Sequence, residues 1–488
     1  MRPGTAEALT RIAGALEPRF PLRLLGFGLI YVWSSCVWEM AIFSPTRASA
    51  ATGDLFDIWL WSALLTPIAC IACAIAGRKR ELIEMPALLI TGPLLATVGT
   101  LCIAFYPYAD GPLRLPLSIA AALGTGIGPA LMVVLWVGLY ARLDTDTVEA
   151  VVPASFFVII VCMLIIPYLP ASIAGPITVL LPFGSAILLL MGSCDETASM
   201  PASLARTDPI EEAQPYPLSS VLRMFLLVFV AYSISCTIPA LQQETELLAP
   251  EAVTNIIGIL FAIAVSTAIV LFSARIDLGV YFRWMSTPLI LSAVLTGFPS
   301  PLTASLASLL ANAMFTSLEI IMILYFIRLA RMTQRPVSFF IGIGACATYS
   351  GVLVGYMLGA EWAALAAQGA MGIQGFCLIL VGAFAFAMLL VPRHDSALSG
   401  TPDPKAAEDT PDDQHASFDA LCEGIAASYS LSKRETDVFK LLAQGRSQPY
   451  IRDTLFLSKN TVSTHIRHIY RKLDIHSKEE LIDMLVRR

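Results

Sequence analysis

Twelve long apolar stretches constrain the fold of this chain more than any other feature of its sequence. We place them at about 22–43, 56–76, 85–106, 116–140, 151–169, 176–192, 218–240, 252–273, 281–298, 303–328, 337–360 and 370–391. Each is near the ~20 residues that an α-helix needs to cross ~30 Å of hydrocarbon. The sequence therefore predicts an all-α fold, with a polytopic membrane bundle of about twelve transmembrane helices.

The composition agrees with a membrane location. The chain has 488 residues, of which 56% are hydrophobic and only 14% are charged, whereas soluble proteins carry about a quarter charged residues. We therefore expect most of the chain to lie in a lipid bilayer. Among its 10 cysteines, the pair Cys70 and Cys73 has no second pair and no histidine nearby in the sequence. This pattern favours helix packing over a metal site, and we expect no metal and no cofactor.

Basic residues predict which side of the membrane each loop faces. They cluster in alternate loops, and the intervening loops hold only Arg47 and Arg114. The clustered residues are Arg2, Arg11, Arg19, Arg23, Arg78, Lys79, Arg80, Arg142, Arg206, Arg223, Arg275, Arg283, Arg328, Arg331, Arg335 and Arg393. Because positive residues favour the cytoplasmic side, both termini are predicted to be cytoplasmic. Residues 1–21 contain no cleavable apolar core, so we expect a cytoplasmic N-terminal segment and no signal peptide.

Near the C-terminal end, residues 431–473 have the pattern of three short helices joined by capped turns. Ser432 followed by Glu435 is a capping box that starts the first helix. Ser447 is suited to cap the second helix, and Ser458 is suited to cap the third. The third helix has one apolar face, made of Val462, Ile466, Ile469, Tyr470 and Leu473. Short helices, a tight turn and a polar face on the third helix are typical of a helix-turn-helix.

This segment resembles the DNA-binding domain of LuxR/FixJ/NarL-type regulators. The residues that match the family pattern, without a gap, are Leu431, Ser432, Arg434, Glu435, Val438, Leu441, Gly445, Ser447, Ile451, Leu455, Leu457, Ser458, Thr461, Val462, His465, Ile469, Lys472 and Leu473. The sequence departs from the pattern at residues 448–450 and at Arg452. The resemblance implies a small four-helix domain at 417–488.

The resemblance also implies which side chains contact double-stranded DNA. The positions that read bases in the family correspond to Ser463, Thr464 and Arg467. The residues placed for phosphate contacts are Lys459, Thr461, Arg471 and Lys472. In the family the fourth helix often supplies the dimer contact, so we expect a homodimer on DNA through residues 477–486. The apolar residues of that helix would otherwise close the core of the domain itself.

Six stretches on each side of a polar loop at 194–218 resemble the architecture of major facilitator transporters. That fold places a central site between two six-helix halves. These transporters usually have a Gly-x-x-x-Asp-Arg-x-Gly-Arg motif between spans two and three. The corresponding loop from Ala76 to Glu81 keeps the basic run but lacks the Asp and the second Gly. The motif therefore does not support transport activity.

Ionisable side chains within the apolar stretches indicate a ligand site, because a charge in lipid is costly. Glu319 lies in the middle of a span, and Glu39 lies toward the outer end of the first. Asn312 adds a polar group, and Trp33 and Trp38 are suited to line a cavity. Other aromatic residues suited to this role are Trp59, Trp61, Trp136, Tyr140 and Tyr232. An interior Glu is equally compatible with bonding to a neighbouring helix, and a Trp near a span end with interfacial anchoring.

An acidic segment at 392–416 separates the apolar stretches from the C-terminal domain. It is rich in Pro, Asp, Gly and Ser, with Asp403, Glu408, Asp409, Asp412 and Asp413 against Lys405. Such a composition is typical of a flexible linker, and about 25 residues reach roughly 25–30 Å. The predicted organisation is a cytoplasmic segment (1–21), a sensing bundle (22–391), this linker and the helix-turn-helix domain.

The domains recognised in the sequence limit the functions that we expect of this chain. No receiver domain, histidine kinase core, Walker loop or soluble autoinducer-binding domain precedes the helix-turn-helix pattern, so we expect the membrane bundle to be the sensor. No catalytic nucleophile, base and acid stand in a recognisable arrangement, so we do not expect an enzyme. We favour a one-component transcription regulator in the bacterial inner membrane that senses an unknown small molecule. The alternatives are an active transporter fused to a regulator, and a membrane-anchored regulator without a ligand site.

Overall fold

A computed structural model describes most of the predicted membrane bundle and parts of the C-terminal domain. The described residues are 22–39, 42–43, 55–143, 145–193, 218–242, 248, 251–272, 278–298, 300–333, 335–368, 372–389, 422, 425–426, 429, 431–443 and 459–473. The chain divides into two compact units, Met1–Thr401 and Pro402–Arg488. The predicted linker at 392–416 lies outside the described residues, so its boundaries stay a prediction.

Twelve helical segments follow one another in the first unit, at the positions of the twelve predicted spans. The first, α1, is irregular: a 3-10 segment at Leu22–Phe27 leads into an α-helix at Gly28–Ser34 and a π-helical turn at Ser35–Glu39. The others are α2 (Phe56–Ala76), α3 (Pro86–Phe105), α4 (Arg114–Tyr140), α5 (Thr145–Ile165), α6 (Ala171–Ser193), α7 (Leu218–Leu241), α8 (Glu251–Phe272), α9 (Leu278–Thr296), α10 (Pro301–Thr333), α11 (Val337–Ala367) and α12 (Ile373–Leu389).

Length and composition make these helices a multi-pass membrane domain. Within the described residues, eight helices are long and apolar enough to cross a bilayer. Shorter apolar helices occupy the four remaining positions, at Leu22–Trp38, Val253–Thr267, Ser286–Thr296 and Ile373–Ala387. All regular elements in the described parts of the chain are helical. The predicted all-α class with a polytopic bundle is therefore confirmed.

Two helices extend well beyond the apolar stretches from which they were predicted. Helix α10 has 33 residues and α11 has 31, whereas the apolar stretches are 303–328 and 337–360. An α-helix continues past the hydrocarbon because each further turn satisfies its own backbone hydrogen bonds. Polar residues such as Arg331 in the last turn of α10 are compatible with that extension. Hydropathy therefore located these helices but underestimated their length.

The helices pack as two halves with a limited set of contacts between them. In the first half, α4 packs against α2 and α3, and α1 packs against α5 and α6. In the second half, α11 packs against α7, and α10 packs against α8 and α9. The main contacts across the halves join α2 to α11 and α5 to α8. A site between the halves is therefore lined by helices from both.

The second unit contains two described helices, α13 (Lys433–Ala443) and α14 (Lys459–Leu473). Its buried core consists of Cys422, Ile425, Val438, Phe439, Leu442, Val462, Ile466, Ile469 and Leu473, and Tyr470 packs against that core. The predicted apolar face of the third helix of the motif is thereby confirmed. The predicted second and fourth helices, at 447–455 and 477–486, lie outside the described residues.

Helices α7 and α11 approach each other closely through glycines. Gly351, Gly355 and Gly359 recur every four residues, so they share one face of α11. A Cβ added at Gly355 would lie 2.1 Å from the backbone oxygen of Ser233. The Thr237 hydroxyl in turn donates a hydrogen bond of 2.9 Å to the carbonyl oxygen of Gly355. Small residues that let backbones approach are the usual basis of tight helix pairs in membranes.

Replacing Gly355 with Ala should lower the thermal stability of the full-length protein. The added methyl group meets a backbone carbonyl, and overpacking of this kind typically costs about 1–3 kcal/mol. The matched control is Gly382→Ala in α12, because no atom lies within 4 Å of a Cβ added there. Thermal unfolding in detergent measures both variants. Equal midpoints for the two would contradict the proposed close packing of α7 on α11.

Candidate functional site

A carboxylate lies in the middle of the membrane bundle, bonded to two tyrosines. Glu319 lies near the centre of α10, and each of its two carboxylate oxygens accepts one hydrogen bond. The Tyr31 hydroxyl in α1 donates to Oε1, and the Tyr232 hydroxyl in α7 donates to Oε2 at 2.5 Å. Because α1 belongs to the first half and α7 and α10 to the second, this group of three residues joins the halves.

Aromatic rings pack against the two tyrosines that bind this carboxylate. Tyr349 in α11 lies close enough to Glu319 for an electrostatic interaction. The Phe315 ring meets the Tyr232 ring edge to face, with centroids 5.0 Å apart, and the Phe156 ring lies 5.2 Å from that of Tyr31. Tyr31, Glu319 and Tyr349 are each only partly buried. Each of these three residues therefore keeps part of its surface exposed, although Glu319 lies at mid-helix.

The structure separates the other predicted ligand residues from this cluster. Trp33 is 1% exposed and packs in the core of the first half, where its indole N–H donates to the Thr100 hydroxyl at 2.8 Å. Trp38 packs against the same cluster. The Asn312 amide, two turns before Glu319, donates to the Asn255 side chain in α8.

Glu39 ends the π-helical turn of α1, and its side chain lies outside the described residues. The structure therefore brings Glu319 together with tyrosines, and not with the predicted tryptophans. Tyr232 was expected as a possible cavity residue, whereas Tyr31 and Tyr349 were missed. A hydroxyl-bearing aromatic residue within an apolar span is the sequence signal that would have drawn attention to them.

A second buried acid joins the halves at the end of the bundle where α11 begins. Glu81, in the loop after α2, accepts hydrogen bonds from the backbone N–H groups of Val337 and Ser338 and from the Ser338 hydroxyl at 2.6 Å. It therefore caps α11, where a carboxylate also favours the positive end of the helix dipole. Burial raises the pKa of Glu81, against the opposing effect of Ser338, Val337 and Arg142.

This contact corrects our interpretation of the loop motif. Glu81 follows Gly77 by four residues, which is the spacing of the Asp in the transporter motif. A glutamate supplies the same carboxylate with one more methylene, so the acidic position is retained although the Asp is not. On the same side, Arg331 of α10 donates to the carbonyl oxygens of Ala141 and Leu143 beyond α4.

In the second unit, the first helix begins as predicted. The Ser432 backbone N–H donates to Glu435 Oε2 at 2.7 Å, and the Glu435 backbone N–H donates to the Ser432 hydroxyl at 3.4 Å. These reciprocal bonds confirm the capping box. The side chain of Glu435 is 7% exposed, and it also pairs with Lys472 in α14 at 2.8 Å. A capping residue thus joins the two described helices of the domain.

The pKa of Glu435 reflects these partners. Burial by itself raises the pKa, but the hydrogen bonds from Lys472 and Ser432 outweigh it and lower the pKa from 4.5 to about 2. His468 Nδ1 lies 3.6 Å from the other carboxylate oxygen. Lys472 was predicted to contact phosphate. Its pairing with Glu435 gives it a structural role in the domain.

The polar face of α14 carries several of the predicted DNA-contacting residues. Thr461, Thr464, Arg467 and Arg471 are exposed on this helix. They alternate with the buried Val462, Ile466 and Ile469, so they lie opposite the core. The backbones of Lys459 and Ser463 belong to α14, and their side chains lie outside the described residues.

Glu435→Gln should destabilise the Pro402–Arg488 fragment by about 1–2 kcal/mol at pH 7, because it removes a charge-assisted hydrogen bond. The lowered pKa of Glu435 stabilises the fold above pH 4.5, and this contribution is lost as pH falls toward 2. Chemical unfolding over this pH range should therefore show a smaller pH dependence in the variant. Asp437→Asn is the control, because Asp437 and Arg434 form an exposed pair that contributes little. Parallel pH profiles for wild type and Glu435→Gln would refute the assignment.

Comparison with known proteins finds that two parts of the chain resemble different proteins. Residues 429–485 match the family "Bacterial regulatory proteins, luxR family". In this region the chain is 40% identical over 77 residues to the uncharacterized response regulatory protein YgeK of Escherichia coli K12, covering 14% of this chain and 52% of that protein. It is 41% identical over 58 residues to the oxygen regulatory protein NreC of Staphylococcus haemolyticus, covering 12% and 27%. The chain thus spans about half or less of these curated relatives.

The membrane unit is similar to solved transporter structures. The human organic anion transporter MFSD10 (TETRAN) superposes with a TM-score of 0.53 at 13% identity, over 75% of this chain and 97% of that one. A bacterial homologue of the iron transporter ferroportin gives a TM-score of 0.50 at 14% identity, over 76% and 98%. At such identities the similarity concerns the fold alone. The chain therefore combines a membrane domain of the major facilitator fold with a C-terminal helix-turn-helix domain of the luxR family.

Proposed function

We propose that this protein is a membrane-bound one-component transcription regulator. In this proposal the transmembrane bundle senses a small molecule, and the C-terminal domain binds promoter DNA. The observation that supports it best is the joining of a luxR-family domain to a bundle in which Glu319 is bonded across the two halves. We infer no catalytic role and no cofactor, since both parts resemble proteins of regulation or transport.

The exposed face of α14 is the proposed DNA interface. Thr464 and Arg467 are exposed there, and with Ser463 they are the proposed base-reading residues. The proposed phosphate contacts are Lys459, Thr461 and Arg471, which follow the same helix. Lys472 is the exception among the predicted set, because its ammonium group is paired with Glu435. Two copies would meet on DNA through residues 477–486.

We propose that ligand binding changes how the two halves of the bundle are joined. A ligand shifts a conformational equilibrium only when it binds one state more tightly than the other. A ligand that contacts Glu319 competes with Tyr31 and Tyr232, which belong to different halves, and so meets this condition. The basic loops support a bacterial inner-membrane location with both termini in the cytoplasm. The segment at 392–416 would then act as a tether for the DNA-binding domain.

A working transporter fused to a regulator is the second candidate function. The contact that favours it is the Glu81 carboxylate on the N-terminus of α11. This contact retains the acidic position of the loop motif, which the sequence had suggested was lost. A bundle that only anchors the regulator is less favoured, since it gives no reason for a carboxylate at mid-helix.

Arg467→Ala should weaken specific DNA binding by about 1–3 kcal/mol and relax base preference at one operator position. Arg471→Ala, one turn further along α14, should instead weaken binding to all sequences about equally. Footprinting and titration of the Pro402–Arg488 fragment on DNA upstream of neighbouring genes measures both effects. A wild-type fragment without any sequence-specific footprint would refute the regulator proposal. Identical behaviour of the two variants would refute base reading by Arg467.

Vesicle uptake separates the first two functions. If the bundle only senses, proteoliposomes that contain the full-length protein should bind an identified inducer without accumulating it. Labelled inducer inside the vesicles, above the amount found with protein-free vesicles, would establish the transporter alternative. Glu81→Gln is the variant to compare, because a transport cycle that uses the α11 cap should be slowed by its loss.

A further inference from the structure

We propose that Glu319 binds the ammonium group of a small organic cation with an apolar or aromatic body. This inference rests on the proposed function, because it names the chemical class of the molecule that the bundle senses.

Among the described side chains, Glu319 has no positively charged partner. Its two hydrogen-bond partners are the neutral hydroxyls of Tyr31 and Tyr232. On the same helix the nearest basic residues are Arg328 and Arg331, which a rise of 1.5 Å per residue places about 13 and 18 Å further along. A carboxylate at membrane depth is stable only when it is neutralised or paired. A cationic ligand would supply that pairing.

The carboxylate also keeps free acceptor capacity. An ionised carboxylate has about four lone-pair positions, and the two tyrosines use one on each oxygen. An ammonium group donates up to three hydrogen bonds from a compact head. It can therefore use the positions that the tyrosines leave free, and it shares Oε1 with the Tyr31 hydroxyl.

The surroundings favour an ammonium ion over other ligands. Tyr31 and Tyr349, both partly buried, each interact with the carboxylate, and Phe315 packs on Tyr232. Aromatic faces attract ammonium ions, which is the basis of known choline and methyl-lysine sites. A carboxylate repels anionic ligands. A sugar-like ligand would require many more polar partners than these rings provide.

Binding at this position has a direct consequence for the bundle. The Tyr31–Glu319 hydrogen bond joins α1 of the first half to α10 of the second. An ammonium group that takes a share of Oε1 weakens that bond, and so favours an arrangement in which the halves are less tightly joined. The ligand then binds the state with less tightly joined halves more strongly than the other state. This difference in affinity is what shifts the conformational equilibrium.

A charge-matched set of probes tests the inference on the full-length protein in lipid nanodiscs. Phenethylammonium, 2-phenylethanol and phenylacetate share one ring and chain length and differ in charge, and methylammonium adds a cation that has N–H donors but no ring. Calorimetric titration should show binding of the cations, with the alcohol and the anion at least about tenfold weaker. Equal binding of the alcohol and the ammonium, or no binding of either cation at millimolar concentration, would overturn the inference.

Variants identify the residue responsible. Glu319→Gln keeps an acceptor for one tyrosine but loses the charge, and should weaken phenethylammonium binding at least about tenfold. Glu361→Gln is the control, because this residue is an exposed carboxylate of α11. Tyr31→Phe keeps the ring and removes a competing donor, so it should bind the cation at least as tightly as wild type. Unchanged affinity in Glu319→Gln, or loss of binding in Tyr31→Phe, would overturn the inference.

A promoter reporter distinguishes this inference from the proposed function. Cation binding that depends on Glu319 but leaves reporter expression unchanged would support the ligand class and refute sensing. An inducer response that survives in Glu319→Gln would leave the regulator function standing and refute the assignment of the cation site.

Discussion

The hydrogen bonds between one mid-membrane carboxylate and two tyrosines are the interaction on which the membrane domain depends. An α-helix satisfies its own backbone hydrogen-bonding groups, so lipid imposes little further constraint on how the helices are arranged. A carboxylate is different, because it must find partners inside the protein. Glu319 finds them in Tyr31 and Tyr232, on helices from opposite halves. The position of α1 relative to α7 and α10 is thereby defined by polar chemistry as well as by packing.

The packing contacts differ in kind from this polar junction. Close approach of α7 and α11 through glycines produces a tight pair within one half, and such pairs move as units because packed interfaces resist gradual deformation. Between the halves, where Gly342 also lets α11 approach α2 closely, polar contacts add to the packing of α2 on α11 and α5 on α8. Glu81 on α11 and Arg331 on the end of α4 are two of them. Rigid halves joined by breakable polar contacts form an arrangement that a ligand can bias.

Much of this arrangement could be predicted from the sequence. The rest could not, for physical reasons. Apolar length located all twelve helices, because lipid demands about 20 apolar residues per crossing. Charge in an apolar stretch identified Glu319, and the capping box identified the start of α13. Tyr31 and Tyr349 were missed, because a tyrosine in a span looks like any core aromatic until its partner is known. The sequence also could not show that the Trp33 N–H donates to Thr100 in the core of the first half, and its predicted role in ligand binding stays a prediction.

Each of the two units contains a carboxylate bonded between helices, and their different partners explain why we propose only one of them as a ligand site. Glu435 is paired with Lys472 at 2.8 Å and bonded to the backbone of Ser432. Its charge is therefore balanced within the domain, and a ligand has nothing to add. Among the described residues, Glu319 is bonded to two neutral hydroxyls, and it is only partly buried. Among the described residues, this difference in charge balance gives Glu435 a structural role, and it is the reason why we propose Glu319, and not Glu435, as the ligand site.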